Sequence, residues 1–402
     1  MPRQRPPGGI PRGPAQTGPT LFSYGFRPFY LSAAIWAVLE MILWLLALSG
    51  RISLGGEAGA AAWHAHEMLF GFAPAVLCGY LLTSVPNWTG QLPVSGPPLM
   101  ALWGLWCAGR LAMSLSAASY PLSAAIDWLF LPVLLMICLR EVVAGRKWKD
   151  LKAVAALLAL TLANTLHHWT GMTTGDTGIA TRLALSVYLL LISVIGGMMV
   201  PSFTRNWLNR QGSQNFPASQ GRFDKAAVMV GLVALLAWTL APETAVTATA
   251  ACVAGSLHAI RLSRWKGAAT FRTPLVLALH VAYACLPLGL FGVCASALGY
   301  VAPPSVLHLF GVGAVAGMML VVMTRSTLGH TGRPLQASGL TALSHVSLFL
   351  TAVLRPLADI IPSVGGFLVM AAGLAWLLAF GLFLVEFGPL LVSTRRQARG
   401  QE

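Results

Sequence analysis

Long apolar runs follow one another along the chain, and the polar residues gather in the short stretches between them. Twelve such runs can be drawn, at 28–48, 66–85, 97–116, 121–140, 150–169, 180–201, 224–241, 244–262, 273–298, 304–324, 339–359 and 363–387. One membrane-crossing helix needs about 20 apolar residues. The pattern therefore predicts an all-α polytopic membrane protein of about twelve transmembrane helices, with little chain left for a soluble domain. Residues 1–20 are rich in Pro, Gly and Arg and read as a disordered cytoplasmic tail. They lack the apolar core and small-residue cleavage site of a signal peptide, so the first span is expected to be retained. Residues 21–391 then form a single transmembrane domain, and 392–402 form a basic cytoplasmic tail.

Composition sharpens this reading. The chain is 56% hydrophobic and only 9% charged, where soluble domains carry about 25% charged residues. A net charge of +14 raises the question of nucleic acid, but the distribution excludes it. Basic residues sit before span 1, between spans 4 and 5, 6 and 7, and 8 and 9, after span 10 and at the end of the chain. The alternate loops hold little beyond Arg51 and Arg182 and carry acids such as Glu57, Asp176, Glu243 and Asp359. The positive-inside rule places both termini in the cytoplasm, so the basicity records topology. All six cysteines lie within spans and none forms a Cys-x-x-Cys pair, which favours small buried hydrophobes over disulfides or a thiolate metal site.

An internal repeat runs beneath the spans. Gly197-Met198-Met199 with Thr204-Arg205 returns as Gly317-Met318-Met319 with Thr324-Arg325. His66, Gly71 and Thr89-Gly90 likewise match His308, Gly313 and Thr331-Gly332. These offsets correspond to one and two units of four spans, making spans 2, 6 and 10 equivalent in a three-fold repeat. Internal repeats are common in transporters, so the repeat alone does not decide function.

The chemistry lies in the histidines. Trp63-His64-Ala65-His66-Glu67 opens span 2, and at least five of the nine histidines fall in or beside apolar runs. An ionisable residue there is costly and marks a functional site. With the amino terminus inside, His64, His66, His167, His168 and His308 lie toward the outer face, and His258, His280, His330 and His345 toward the inner one. The first choice for a metal or heme centre is an outer cluster of His64, His66, His168 and His308, with His280, His258 and His330 as an inner one. Helical residues two apart point about 200° apart, so His64 and His66 cannot face one pocket from a regular turn: either His64 lies in a non-helical lead-in or the two serve different centres. Imidazole suits iron, copper and zinc. The absence of Cys-x-x-Cys-His excludes covalently attached heme and leaves noncovalent heme b. The bland alternative is a core histidine hydrogen-bonded to a neighbouring helix. Glu40, Glu67, Arg110, Asp127 and Arg355 add buried charge. Arg110 and Asp127 match in depth as an ion pair, an arginine could instead hold heme propionates, and Glu67 could orient the His66 ring.

These residues resemble the NnrS family. The likeness rests on Gly25-Phe26-Arg27-Pro28-Phe29, on Trp63-His64-Ala65-His66-Glu67-Met68-Leu69-Phe70-Gly71-Phe72, and on Thr83-Ser84-Val85-Pro86-Asn87-Trp88-Thr89-Gly90. It continues in Pro201-Ser202-Phe203-Thr204-Arg205-Asn206, in His308, and in Met323-Thr324-Arg325-Ser326-Thr327-Leu328-Gly329-His330-Thr331-Gly332-Arg333. The resemblance implies a bacterial inner-membrane protein that binds heme and copper, answers nitric oxide and nitrosative stress, and is associated with denitrification. It carries His64, His66, His308 and His330 as motif histidines, matches His168, His258 and His280 less closely, and leaves His167 and His345 outside. Arg27 and Arg325 fall in the motifs as supporting residues. The three-by-four plan also resembles, in architecture, the catalytic subunit of heme-copper oxidases, but span 6 has no histidine. The expectation is a heme- and copper-binding stress-response protein, with the lipid bilayer and nitric oxide as partners, in preference to an oxygen or nitric oxide reductase. A transporter of heme, copper or a small anion, and a structural or assembly protein, are the alternatives.

Overall fold

A computed structural model describes residues 18–115 and 120–394. Most of the expected amino-terminal tail, 1–17, and the end of the basic carboxy-terminal tail, 395–402, lie outside the described residues. The described chain is all-α, and its long helices follow the apolar runs. They are α1 (Phe26–Leu48), α2 (Gly59–Thr89), α3 (Pro97–Ser114), α4 (Tyr120–Ala144), α5 (Leu151–Thr173) and α6 (Gly178–Arg210), then α7 (Arg222–Leu240), α8 (Ala245–Ser263), α9 (Pro274–Ala297), α10 (Pro303–His330), α11 (Gly339–Ile360) and α12 (Pro362–Val392). Ten of them are long and apolar enough to cross a membrane, the exceptions being α3 and α5. The physical reason is in their residues. α3 is short and carries Arg110, while α5 carries Thr161, Asn164, Thr165, His167 and His168. Both of these helices deliver polar side chains to the interior.

Local signals set the boundaries. Proline, with its φ already helical and no N–H to satisfy, opens α3, α9 and α10. Gly90 ends α2 at φ 75°, the left-handed conformation that glycine adopts without strain. The side chains of Thr244 and Ser338 cap α8 and α11 by accepting from the N–H groups of Thr247 and Thr341.

The first and last helices close the bundle. α1 packs along α12, and Trp376 Nε1 donates to the Ala37 carbonyl at 2.8 Å. Arg27, buried near the start of α1, donates to the carbonyls of Leu391 at 2.8 Å and Ser393 at 2.7 Å. A cation at the end of α12 meets both its unpaired carbonyls and the negative end of its dipole.

Inside this ring α2, α6 and α10 meet one another. They run parallel, since successive spans alternate in direction. Each widens to a π-helical stretch, over Glu67–Phe72, Ile192–Gly196 and Leu309–Ala316, and no other helix does so among the described residues. These are the three helices that the repeat makes equivalent. A π turn disturbs the backbone ladder, and in lipid a loose carbonyl has to find a donor. Tyr188 Oη donates to the Leu69 carbonyl at 2.9 Å, Trp106 Nε1 to that of Gly71 at 3.0 Å, and Arg261 Nη1 to that of Ser193 at 2.7 Å.

Arg27→Ala should therefore loosen the closure between α1 and α12. Charge-assisted bonds of this kind are worth about 1.5–3 kcal/mol, so the purified protein should melt earlier in a thermal-unfolding scan. An unchanged midpoint would contradict the closure described.

A candidate metal centre

His66 lies one residue before the π turn of α2, completely buried. Its Nδ1 is 2.9 Å from Glu67 Oε1, and its Nε2 is 3.2 Å from both Asp127 Oδ2 and Asn164 Oδ1. His168 places Nε2 2.9 Å from the same Asp127 oxygen and Nδ1 3.2 Å from the Tyr120 hydroxyl. Asn164 Nδ2 donates to Asp127 Oδ2 at 3.0 Å. The third imidazole is His167, whose ring centroid is 5.1 Å from that of His66 and 6.2 Å from that of His168. Both of its nitrogens are buried and have no hydrogen-bond partner. One ligand atom from each of His66, His167 and His168 lies within 4.8 Å of the other two, and no other group of three or more His, Cys, Asp or Glu side chains meets this spacing among the described residues.

Arg110 on α3 holds the floor of the site by pairing with Glu67 through one nitrogen and Asp127 through another. It reaches them only because residue 71 lacks a side chain: a Cβ there would stand 2.4 Å from Arg110 Nη1. The ion pair expected between Arg110 and Asp127 is thus present, and Arg110 is engaged with protein carboxylates. Two carboxylates face one guanidinium, so with neutral imidazoles the network is one positive charge short. Buried charge without compensation is costly, and three neutral imidazoles are the donor set that takes a metal cation.

The four residues of the expected outer cluster lie in two separate groups. Helix α2 is regular through His64 and His66, so the two rings leave on opposite sides. His64 pairs with the buried carboxylate of Glu40 on α1 and stacks on Trp44 at 4.6 Å. Its nearest histidine neighbour is His308, with ring centroids 6.5 Å apart and planes 19° from parallel. His308 Nδ1 donates to the Pro304 carbonyl at 2.7 Å. Arg355, one of the supporting candidates, pairs with Asp359 at 2.8 Å, and Asp359 also accepts from Ser305 on α10 at 2.7 Å.

The expected inner cluster is not assembled. His258 Nδ1 meets the Tyr283 hydroxyl at 2.9 Å, beside Arg261, which bonds Asp224 at 3.0 Å. His280 Nε2 meets Thr204 Oγ1 at 2.8 Å. His258 and His280 are linked only through the packed rings of Tyr283 and Trp265. His330 lies elsewhere, against the rings of Tyr24 and Phe26, and His345 Nε2 faces Thr324 at 3.3 Å. Among the supporting candidates, Arg27 serves the end of α12 and Arg325 lies 4.2 Å over the Phe203 ring.

Sequence reasoning omitted His167, Asn164 and Tyr120 from the site. The first two had a signal: Asn164, His167 and His168 stand at i, i+3 and i+4, the spacing that shares one helix face. That polar face on α5 is what the site uses.

The family model described as NnrS protein matches residues 20–395, nearly the whole chain. The chain belongs to the NnrS family. No curated protein matches it. Within this NnrS protein the buried charges make a direct test. Arg110→Met alone strands two carboxylates and should cost about 3–5 kcal/mol, seen as a large loss of thermal stability. Adding Asp127→Asn should recover part of that loss. A single variant as stable as the parent would contradict the network.

Proposed function

We propose that this NnrS protein is a bacterial inner-membrane protein of the nitric oxide response, linked to denitrification, that binds copper at His66, His167 and His168 and heme b at His64 and His308. Family membership supports the general reading as a membrane protein of that response. The observation that carries the copper site is His167, a buried imidazole with neither nitrogen partnered, held against two other histidines. Imidazole donors suit copper, and a monovalent cation supplies the positive charge that Glu67, Asp127 and Arg110 leave missing. Ligating histidines usually give their second nitrogen to a carboxylate or carbonyl. Glu67 stands in that place for His66, and Tyr120 faces the second nitrogen of His168.

The heme pair fits on its donors. His64 and His308 each have Nδ1 committed, to Glu40 and to the Pro304 carbonyl, leaving Nε2 as the ligand atom. The two rings lie with centroids 6.5 Å apart, and as paired imidazoles they would hold the heme iron. Copper and reduced heme iron are both binders of nitric oxide. The residues themselves orient the rings and keep water from the His66 cluster. The basic loops support a topology with both termini in the cytoplasm, which would set the two histidine groups toward the periplasmic face.

Metal analysis and optical spectra of the purified protein separate the two assignments. His167→Ala should lose copper and keep the Soret band, and His308→Ala should lose the Soret band and keep copper. Copper retained in His167→Ala would overturn the first assignment, and a colourless parent protein the second.

A further inference from the structure

A separate feature lies on the axis where α2, α6 and α10 meet. They line a partly open cavity of about 80 Å³, with wall residues that include Val76 and Tyr80 from α2, Tyr188 and Ile195 from α6, and Met318 and Val322 from α10. Its lining contains no charged side chain and no histidine. The two polar atoms nearest to it are already engaged: Tyr188 Oη donates to the Leu69 carbonyl at 2.9 Å and Tyr80 Oη to Met199 Sδ at 3.6 Å.

The cavity also has a direction. At the end toward His66 it is sealed by buried Val76, Tyr188 and Val315, whereas Tyr80, Met199 and Val322 at the other end are only half-buried. Because the three helices run parallel, it is a blind funnel that opens toward the basic end of the bundle. The Gly-Met-Met repeat explains part of its lining, since Met199 and Met318-Met319 come from matching turns of α6 and α10.

We propose that this funnel is a binding site for an uncharged apolar molecule of two or three atoms, built by the three equivalent helices of the repeat. A buried water needs two to four polar partners, and the side chains of this lining offer only two hydroxyls, each already donating elsewhere. An ion would face uncompensated apolar walls. Apolar cavities of about 150 Å³ are known to stay dry and to take xenon or benzene, and a space about half as large selects for smaller guests. The inference stands on the shape and chemistry of the cavity and does not depend on which metals the histidines hold.

Xenon is the probe. Crystals of the full chain pressurised with xenon should show an anomalous peak between Val76, Ile195 and Met318, and Ile195→Phe should abolish it. Should that variant fail to fold, Gly196→Ala is the gentler filling. Its added Cβ would meet Met318 Cε at an ordinary 3.5 Å, and it should weaken the peak severalfold. Absence of xenon from the parent protein, ordered water or a lipid tail in the funnel, or a peak undiminished by filling would each overturn the proposal. Since copper and heme contents do not enter this readout, its failure leaves the metal assignments standing, and theirs leaves it standing.

Discussion

Two carboxylates buried among apolar helices set the terms for one end of this molecule. Glu67 and Asp127 are almost wholly shielded from solvent, and breaking a pair at that depth is far more costly than breaking one at a surface. Arg110 answers both at once, which ties α2, α3 and α4 together. Residue 71 must be glycine for the guanidinium to fit, and Asn164 and His168 draw α5 into the same network. Four helices are therefore placed by one cluster of polar groups. The positive charge still missing from that cluster is the physical ground for proposing a metal cation beside it.

The apolar axis follows a different logic. Three parallel helices related by the repeat each break their ladder in a π turn, and two of those turns are repaired by side chains from outside the helix. Tyr188 belongs to both worlds. Its ring walls the central cavity while its hydroxyl satisfies Leu69, three residues beyond His66. The polar cluster thus sits off the axis, and the space on the axis stays apolar.

Much of the architecture was legible because apolar length is a strong signal in a bilayer. All twelve runs are helices, including the weaker ones at 97–116 and 150–169. Helical geometry left two choices for His64 and His66, a non-helical lead-in or separate centres, and the regular helix through both is the second. What the residues could not reveal was which neighbours each ring meets, because that depends on how α1, α4, α5 and α10 pack around α2. Depth alone grouped four outer histidines that the packing divides, and it grouped His258, His280 and His330, which packing keeps apart. His167 was passed over for standing outside the family motifs, although its i+3 spacing from Asn164 marked it as part of a polar face. Arg27 and Arg325, conspicuous in the motifs, serve a helix end and an aromatic ring.

The proposed copper ion has three imidazole ligands and no sulfur. X-ray absorption at the copper edge of the purified protein distinguishes these donors. A first shell of about three nitrogens at about 2.0 Å, with the outer-shell pattern of imidazole rings, is expected. A sulfur shell at about 2.3 Å, as cysteine or methionine ligands would give, would rule out the three-imidazole site.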